Sequence, residues 1–187
     1  MAIEALGVNN TDMEIRGGLQ YVAITTWADA SSVTFDDSDD HAISAVAGVS
    51  DAKLFDLKLG TGSLTTAGTK EGGTIAFEHT VSFYVPNMSS AHMRALESMK
   101  DTNLAVFVKD HSGQAYCVGY HKAFALEDDY ANQQVVCRLS SIEGGTGAAL
   151  GDEHGVTVTI TCVAHEMPRA FSGTFTPDSS AGTVTIS

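Results

Sequence analysis

Basic residues are scarce in this sequence: ten Lys and Arg stand against 23 Asp and Glu, giving a net charge of −13. Tight direct binding to nucleic acid needs clustered cations that displace counterions from phosphate, and here the cations are scattered singly, so that class is excluded. No apolar run approaches the roughly 18–20 residues that cross a bilayer as a helix, so no membrane anchor is expected. Cysteine is sparse as well. Cys117, Cys137 and Cys162 are widely spaced, and no CxxC or Cys/His spacing suggests zinc. Their reading is three small buried hydrophobes in a reducing compartment. The opening Met1-Ala2-Ile3-Glu4-Ala5-Leu6 lacks the basic start and long apolar stretch of a signal peptide, and synthesis in the cytoplasm is the expectation.

What is present is a chain of 187 residues with 43% hydrophobic and 18% charged residues. That balance excludes wholesale disorder and suits one domain with a core. Residues 1–16 are mixed and polar and read as an N-terminal arm. After Gly17-Gly18 the text turns β-branched and aromatic, and Leu19–Thr26 reads as a strand. Residues 28–42 read as a loop with a short strand at Val33–Phe35, and five aspartates fall between Asp29 and Asp40. Ile43–Val46 and Leu54–Leu59 follow as strands, then Leu64–Thr69.

The long run Gly73–Val85 puts Ile75, Phe77, His79, Val81, Phe83 and Val85 on one face and Ala76, Glu78, Thr80, Ser82 and Tyr84 on the other. This period of two predicts a long strand. Pro86 ends it, and a helix is predicted from Ser89 to about Lys100, capped by Asn87 or Ser89, with His92, Ala95, Leu96 and Met99 as its stripe. Leu104–Lys109 and Ala115–Tyr120 flank Asp110-His111-Ser112-Gly113 and predict a hairpin. Ala123–Leu126, Gln133–Ser140 and Val156–His165 are further strands, and glycine-rich Ser141–Gly155 reads as a long loop. The fold expected is mainly β, a two-sheet sandwich or open barrel with one flanking α-helix. Residues 17–171 form the β domain, and residues 172–187 read as a C-terminal extension with a short β-capable end.

No constellation in the sequence carries catalytic chemistry, and the chain is not expected to be an enzyme. Gly145-Thr146-Gly147-Ala148-Ala149-Leu150-Gly151 approaches a dinucleotide fingerprint, but leucine takes the third glycine's place and no helix follows. The acidic run Asp36-Asp37-Ser38-Asp39-Asp40-His41 lacks the glycine and glutamate of an EF-hand and reads as a solvated loop. The seven histidines show no metal-ligand spacing on the helix. Cys117 with His111 or His121 is arithmetically possible as nucleophile and base, yet nothing local activates that thiol. No metal and no cofactor is expected.

Two stretches carry more than composition. Leu104-Ala105-Val106-Phe107-Val108-Lys109-Asp110-His111-Ser112-Gly113-Gln114-Ala115-Tyr116-Cys117-Val118-Gly119 is a strand, Asp-x-x-Gly, strand, Gly element. In Gly144–Phe171, Gly147, Gly151-Asp152, Gly155-Val156-Thr157-Val158-Thr159-Ile160 and Pro168 follow in order. With Gly17-Gly18-Leu19 opening the first strand and a central helix, the order of elements over residues 15–171 resembles the tail tube proteins of tailed bacteriophages. The resemblance implies two packed sheets with a flanking helix. It implies hexameric rings whose sheets join into a lumen barrel, stacked into a tube in the virion tail. Other tail proteins, such as a tape measure and a tail terminator, are the implied partners. An acidic wall would let DNA pass without adhering. Asp56 and Glu78 are candidate lumen-facing residues, and the loop bearing Asp36, Asp37, Asp39 and Asp40 is a candidate contact between rings. The Phe171–Ser187 extension departs from the family pattern. The alternative function is a virion decoration or adhesion module that binds through the 29–41 and 141–155 loops.

Overall fold

The computed structural model describes residues 17–30, 32–36, 41–47, 49, 52–71, 74–120, 136–146 and 154–187. Among these the order is β1 (Leu19–Thr26), β2 (Ser32–Phe35), β3 (Ala42–Ala47), β4 (Ala52–Asp56), β5 (Gly62–Glu71), β6 (Thr74–Pro86) and α1 (Ser90–Met99). There follow β7 (Leu104–Asp110), β8 (Ala115–Val118), β9 (Arg138–Gly145), β10 (Gly155–Ala164), β11 (Arg169–Phe171), β12 (Phe175–Asp178) and β13 (Thr183–Ile186). A nine-stranded sheet runs β12-β13-β4-β1-β7-β8-β11-β3-β2, and a four-stranded sheet runs β5-β6-β10-β9. The fold is thus mainly β, two sheets with one helix, as the alternation of the sequence predicts.

Strand β7 explains how the layers fit. Leu104–Val108 is a continuous apolar run, buried at every position, which is the pattern of a strand covered on both faces. Leu104, Val106 and Val108 join Val22 and Ile24 of β1 in a core shared with the four-stranded sheet, whose Val81, Phe83, Val158 and Ile160 fill its other side. Ala105 and Phe107 point the opposite way, into a second core with Ala23, Ile43, Val46, Phe171, Val184 and Ile186. Strands near opposite ends of the nine-stranded sheet therefore share one core, and only a curled sheet permits that. The curl brings β3 close to the end of β13: a Cβ on Gly173 would lie 2.5 Å from the Ser44 carbonyl oxygen and 2.6 Å from the Ser187 carbonyl oxygen.

Local chemistry accounts for the connections. The β7–β8 turn is built by Asp110, whose Oδ1 accepts from the Ser112 N–H (2.9 Å), the Ser112 hydroxyl (2.6 Å) and the Gln114 N–H (2.9 Å). Gly113 follows at φ +96°, a left-handed conformation that side chains disfavour. The predicted hairpin is present, with β8 ending at Val118 rather than Tyr120. Ser89 is the helix cap, accepting from the His92 N–H at 3.2 Å. Of the predicted stripe, Leu96 and Met99 are buried against the first core. His92 is exposed, and its Nδ1 bonds to the Asn87 carbonyl instead, at 2.7 Å.

Three boundaries differ from the sequence reading. Strand β9 runs on to Gly145, so Ser141–Gly145 is strand where the glycines suggested a loop. The glycine is needed because β9 crosses close to β10: a Cβ on Gly144 would lie 2.2 Å from the Gly155 carbonyl oxygen. Leu57 leaves β4 yet stays buried in the first core, its N–H donating to the Gln20 carbonyl at 2.9 Å. The segment read as an extension forms the β12–β13 hairpin, which pairs with β4 through Thr183↔Lys53 and Val184↔Ala52. The N-terminal arm, the Ala123–Leu126 strand and the first residues of the Gln133–Ser140 strand lie outside the described residues.

Because Val184 and Ile186 are buried in the second core, the C-terminal hairpin is expected to carry stability. Ile186→Ala should cost about 2–5 kcal/mol, read as a lower urea midpoint at unchanged slope. An unchanged midpoint would show that the core does not need the hairpin.

Candidate functional site

The four-stranded sheet has one apolar face and one polar face, and its register fixes which residues share the polar one. Ser82 lies opposite Ser63, Thr80 opposite Thr65, and Glu78 opposite Ala67, across β6 and β5. Tyr84, Ser82 and Thr80 oppose Thr157, Thr159 and Thr161 of β10. Beyond them Thr157, Thr159 and Thr161 oppose Glu143, Ser141 and Arg138 of β9. The result is a surface dominated by Ser and Thr hydroxyls that also bears Glu78, Glu143 and Arg138. β-branched threonine suits a strand while its hydroxyl stays hydrated, which is why the sequence alternates as it does.

Both margins of this sheet are long. Strand β5 has ten residues and pairs with β6, and β9 has eight and pairs with β10. Among the described residues neither has a partner on its other side. A strand so placed presents a row of backbone N–H and C=O groups that another strand can complete. Exposed Ile142 on β9 and exposed Val163 on β10 add apolar surface along the sheet.

The residues singled out from the sequence do not converge. Glu78 is exposed on β6, on the hydroxyl face. Asp56 ends β4 in the other sheet, exposed, accepting from the Ser179 hydroxyl at 3.0 Å. One sheet face therefore cannot carry both. Asp36 follows β2, where its N–H donates to the Ala42 carbonyl at 3.1 Å and its carboxylate accepts from the Ser172 hydroxyl at 3.4 Å. Asp37, Asp39 and Asp40 lie outside the described residues, as does His121.

Among the described residues the two buried polar side chains, His79 and Arg169, have structural partners, whereas the buried Nε2 of His111 has no hydrogen-bond partner. His79 sits beneath the sheet with Nε2 at 2.8 Å from the Glu166 carbonyl and Nδ1 at 3.0 Å from the Thr66 hydroxyl. A carbonyl only accepts, so Nε2 carries the proton and Nδ1 accepts from Thr66. Arg169, which sequence reading passed over, is buried with its guanidinium bonded to the Glu166 carboxylate and stacked 5.0 Å from the Phe35 ring centre. Its only sequence signal was the acidic residue three places before it in Glu166-Met167-Pro168-Arg169. Cys117 is enclosed in the second core, and burial pushes its thiol well above the ordinary range. A thiol so placed is a poor nucleophile. In the second Asp–Ser turn, the Ser180 hydroxyl and then the Ala181 N–H hold the Asp178 carboxyl below the usual carboxylate range.

A largely apolar groove of about 480 Å³ runs past Leu19, Leu64, Thr66, Tyr116 and Pro168, with Asp110 at its margin. Asp110 is engaged in the β7–β8 turn. Among the described residues no three His, Cys, Asp or Glu side chains gather as a metal site requires. Comparison with known proteins finds no matching family model, no matching curated protein and no matching solved structure.

His79 gives a pH signature. Burial lowers its pKa, opposed in part by the bond to the Glu166 carbonyl. Unfolded imidazole titrates near pH 6.5, so just below that pH the unfolded chain binds more protons and stability rises with pH. The contribution is complete above about pH 6.5 and is lost as pH falls through the folded value. Urea melts between pH 8 and 5 should show this decline, and His79→Gln should remove it while costing about 1–2 kcal/mol at pH 8. The same decline in the variant would assign it to another group.

Proposed function

We propose that this chain is a structural subunit of a bacteriophage tail tube, assembling into stacked hexameric rings through which DNA passes. The observation that carries the reading is the four-stranded sheet, with two long margins open among the described residues and a hydroxyl-rich polar face between them. Strand β5 of one copy pairing with β9 of the next would join these sheets around a ring. Such closure removes strand edges that otherwise invite aggregation. A barrel of six such sheets, with strands ~4.8 Å apart and tilted ~40°, would be about 48 Å across between backbones. That is wide enough for a duplex.

The chemistry of the face is consistent with a conduit. Hydroxyls hold water without holding phosphate strongly, and Glu78 and Glu143 outnumber Arg138. The chain as a whole carries −13, so its field repels a duplex rather than binding it. Under this reading Glu78 faces the lumen, and Asp56, on the other sheet, belongs to the outer body. The tail of the virion is the proposed location, with synthesis in the host cytoplasm and other tail proteins at the tube's ends and within it.

Negative-stain microscopy of concentrated protein is expected to show rings or tubes. Ala67→Lys with Ile142→Lys places charge on both exposed margins. The variant should keep its melting temperature, because substitutions at exposed positions usually change stability by about 0.5 kcal/mol or less, and should stay monomeric. Wild-type protein that is monomeric at every concentration would contradict the proposal. Assembly that persists in the double variant would place the contacts elsewhere, as a decoration module binding through its loops would.

A further inference from the structure

The first core holds two of the three cysteines side by side. Cys137 is tied to the nine-stranded sheet by a reciprocal pair of backbone bonds to Leu104 of β7, at 2.9 and 3.1 Å. Cys162 belongs to β10 of the four-stranded sheet, opposite His79 of β6. The two sulfurs converge on Gly119: a Cβ there would lie 3.2 Å from Cys137 Sγ and 3.8 Å from Cys162 Sγ. The Cys137 S–H donates to the Val118 carbonyl, at 3.4 Å, and the Cys162 sulfur lies close enough to perturb it. Cys117 is on the far side of the nine-stranded sheet, in the second core.

We infer that Cys137 and Cys162 are a latent disulfide, formed by a small peroxide-class oxidant and joining the two sheets across their shared core. Disulfide formation needs two sulfurs on facing elements already in contact, and needs no large backbone movement when they are. The neighbouring Cys137 favours the Cys162 thiolate against the opposing effect of burial, while Cys137 itself is held well above the ordinary thiol range by Cys162 and by burial. The oxidation balances from either sulfur. With Cys162 first, its sulfur attacks one peroxide oxygen, the O–O bond breaks, and a sulfenic acid and one water result. The Cys137 sulfur then attacks the sulfenic sulfur. The S–S bond forms, the S–OH bond breaks, and the departing hydroxide takes the Cys137 proton as a second water. The two thiols lose two electrons and the peroxide gains them.

Burial decides which oxidants act. Both sulfurs are almost wholly enclosed, so a peptide-sized disulfide such as oxidised glutathione reaches them slowly, while peroxide can enter during brief openings. In a reducing cytoplasm the pair stays as thiols, and it closes when the protein meets an oxidising exterior. This inference is independent of the proposed function.

The test is native wild-type protein treated with hydrogen peroxide, then denatured and analysed by thiol titration and mass spectrometry. The accessible thiols should fall from three to one, the mass should drop by two hydrogens, and a Cys137–Cys162 cross-linked peptide should appear. The melting temperature should rise by roughly 5–10 °C. Cys117→Ser should behave like wild type, and Cys137→Ser should leave Cys162 to form higher oxides. Three thiols surviving treatment, oxidation of Cys162 to a sulfinic acid while Cys137 stays free in wild type, or a bridge that includes Cys117 would each overturn the inference.

Discussion

Everything in this fold depends on burying both faces of one strand. Leu104–Val108 of β7 has no wet side, so its neighbours must supply a core above and a core below. The four-stranded sheet and α1 meet the first demand. The curl of the nine-stranded sheet, which brings β3 and β13 over Phe107, meets the second. Burying a side chain the size of Phe107 contributes about 1.5–3 kcal/mol. The strand and its partners thus set a cooperative centre from which the sheets extend.

The same demand shapes the sheet proposed to act. To cover β7, the four-stranded sheet turns its apolar side inward at Val81, Phe83, Val158 and Ile160. Period-two alternation then leaves its hydroxyls outward, with no further choice to be made. Its margins are governed separately: the curl of the nine-stranded sheet brings β3 close to the end of β13, whereas β5 and β9 are far apart in the order β5-β6-β10-β9. An acidic surface keeps such edges from pairing at random, because like charges oppose non-specific approach. Specific pairing in one register remains open to them.

Much of this was legible in the residues. The alternation in Gly73–Val85 predicted β6 and its two faces, Val156–His165 read as the strand β10, and the Asp110-His111-Ser112-Gly113 turn predicted its hairpin. Those features are local. What escaped reading depended on distant segments. Gly144 and Gly145 look like loop until β10 is beside them. Thr183–Ile186 reads as a loose end until Ala52 and Lys53 give it a partner. Asp56 and Glu78 have the same sequence character, an acid among apolar residues, and nothing local says that they belong to different sheets. The stacking of Arg169 on Phe35 and the Cys137–Cys162 contact likewise arise from tertiary packing alone.

The proposed assembly makes a claim about particular backbone amides. Among the described residues strands β5 and β9 are margins of the four-stranded sheet, and in the proposed ring they become interior strands. Hydrogen–deuterium exchange, followed from dilute to concentrated protein, reports this directly. The account predicts that amides in Gly62–Glu71 and Arg138–Gly145 gain protection together as particles form, while those of β7 are slow throughout. Particles that form with both margins still exchanging at the monomer rate would contradict it.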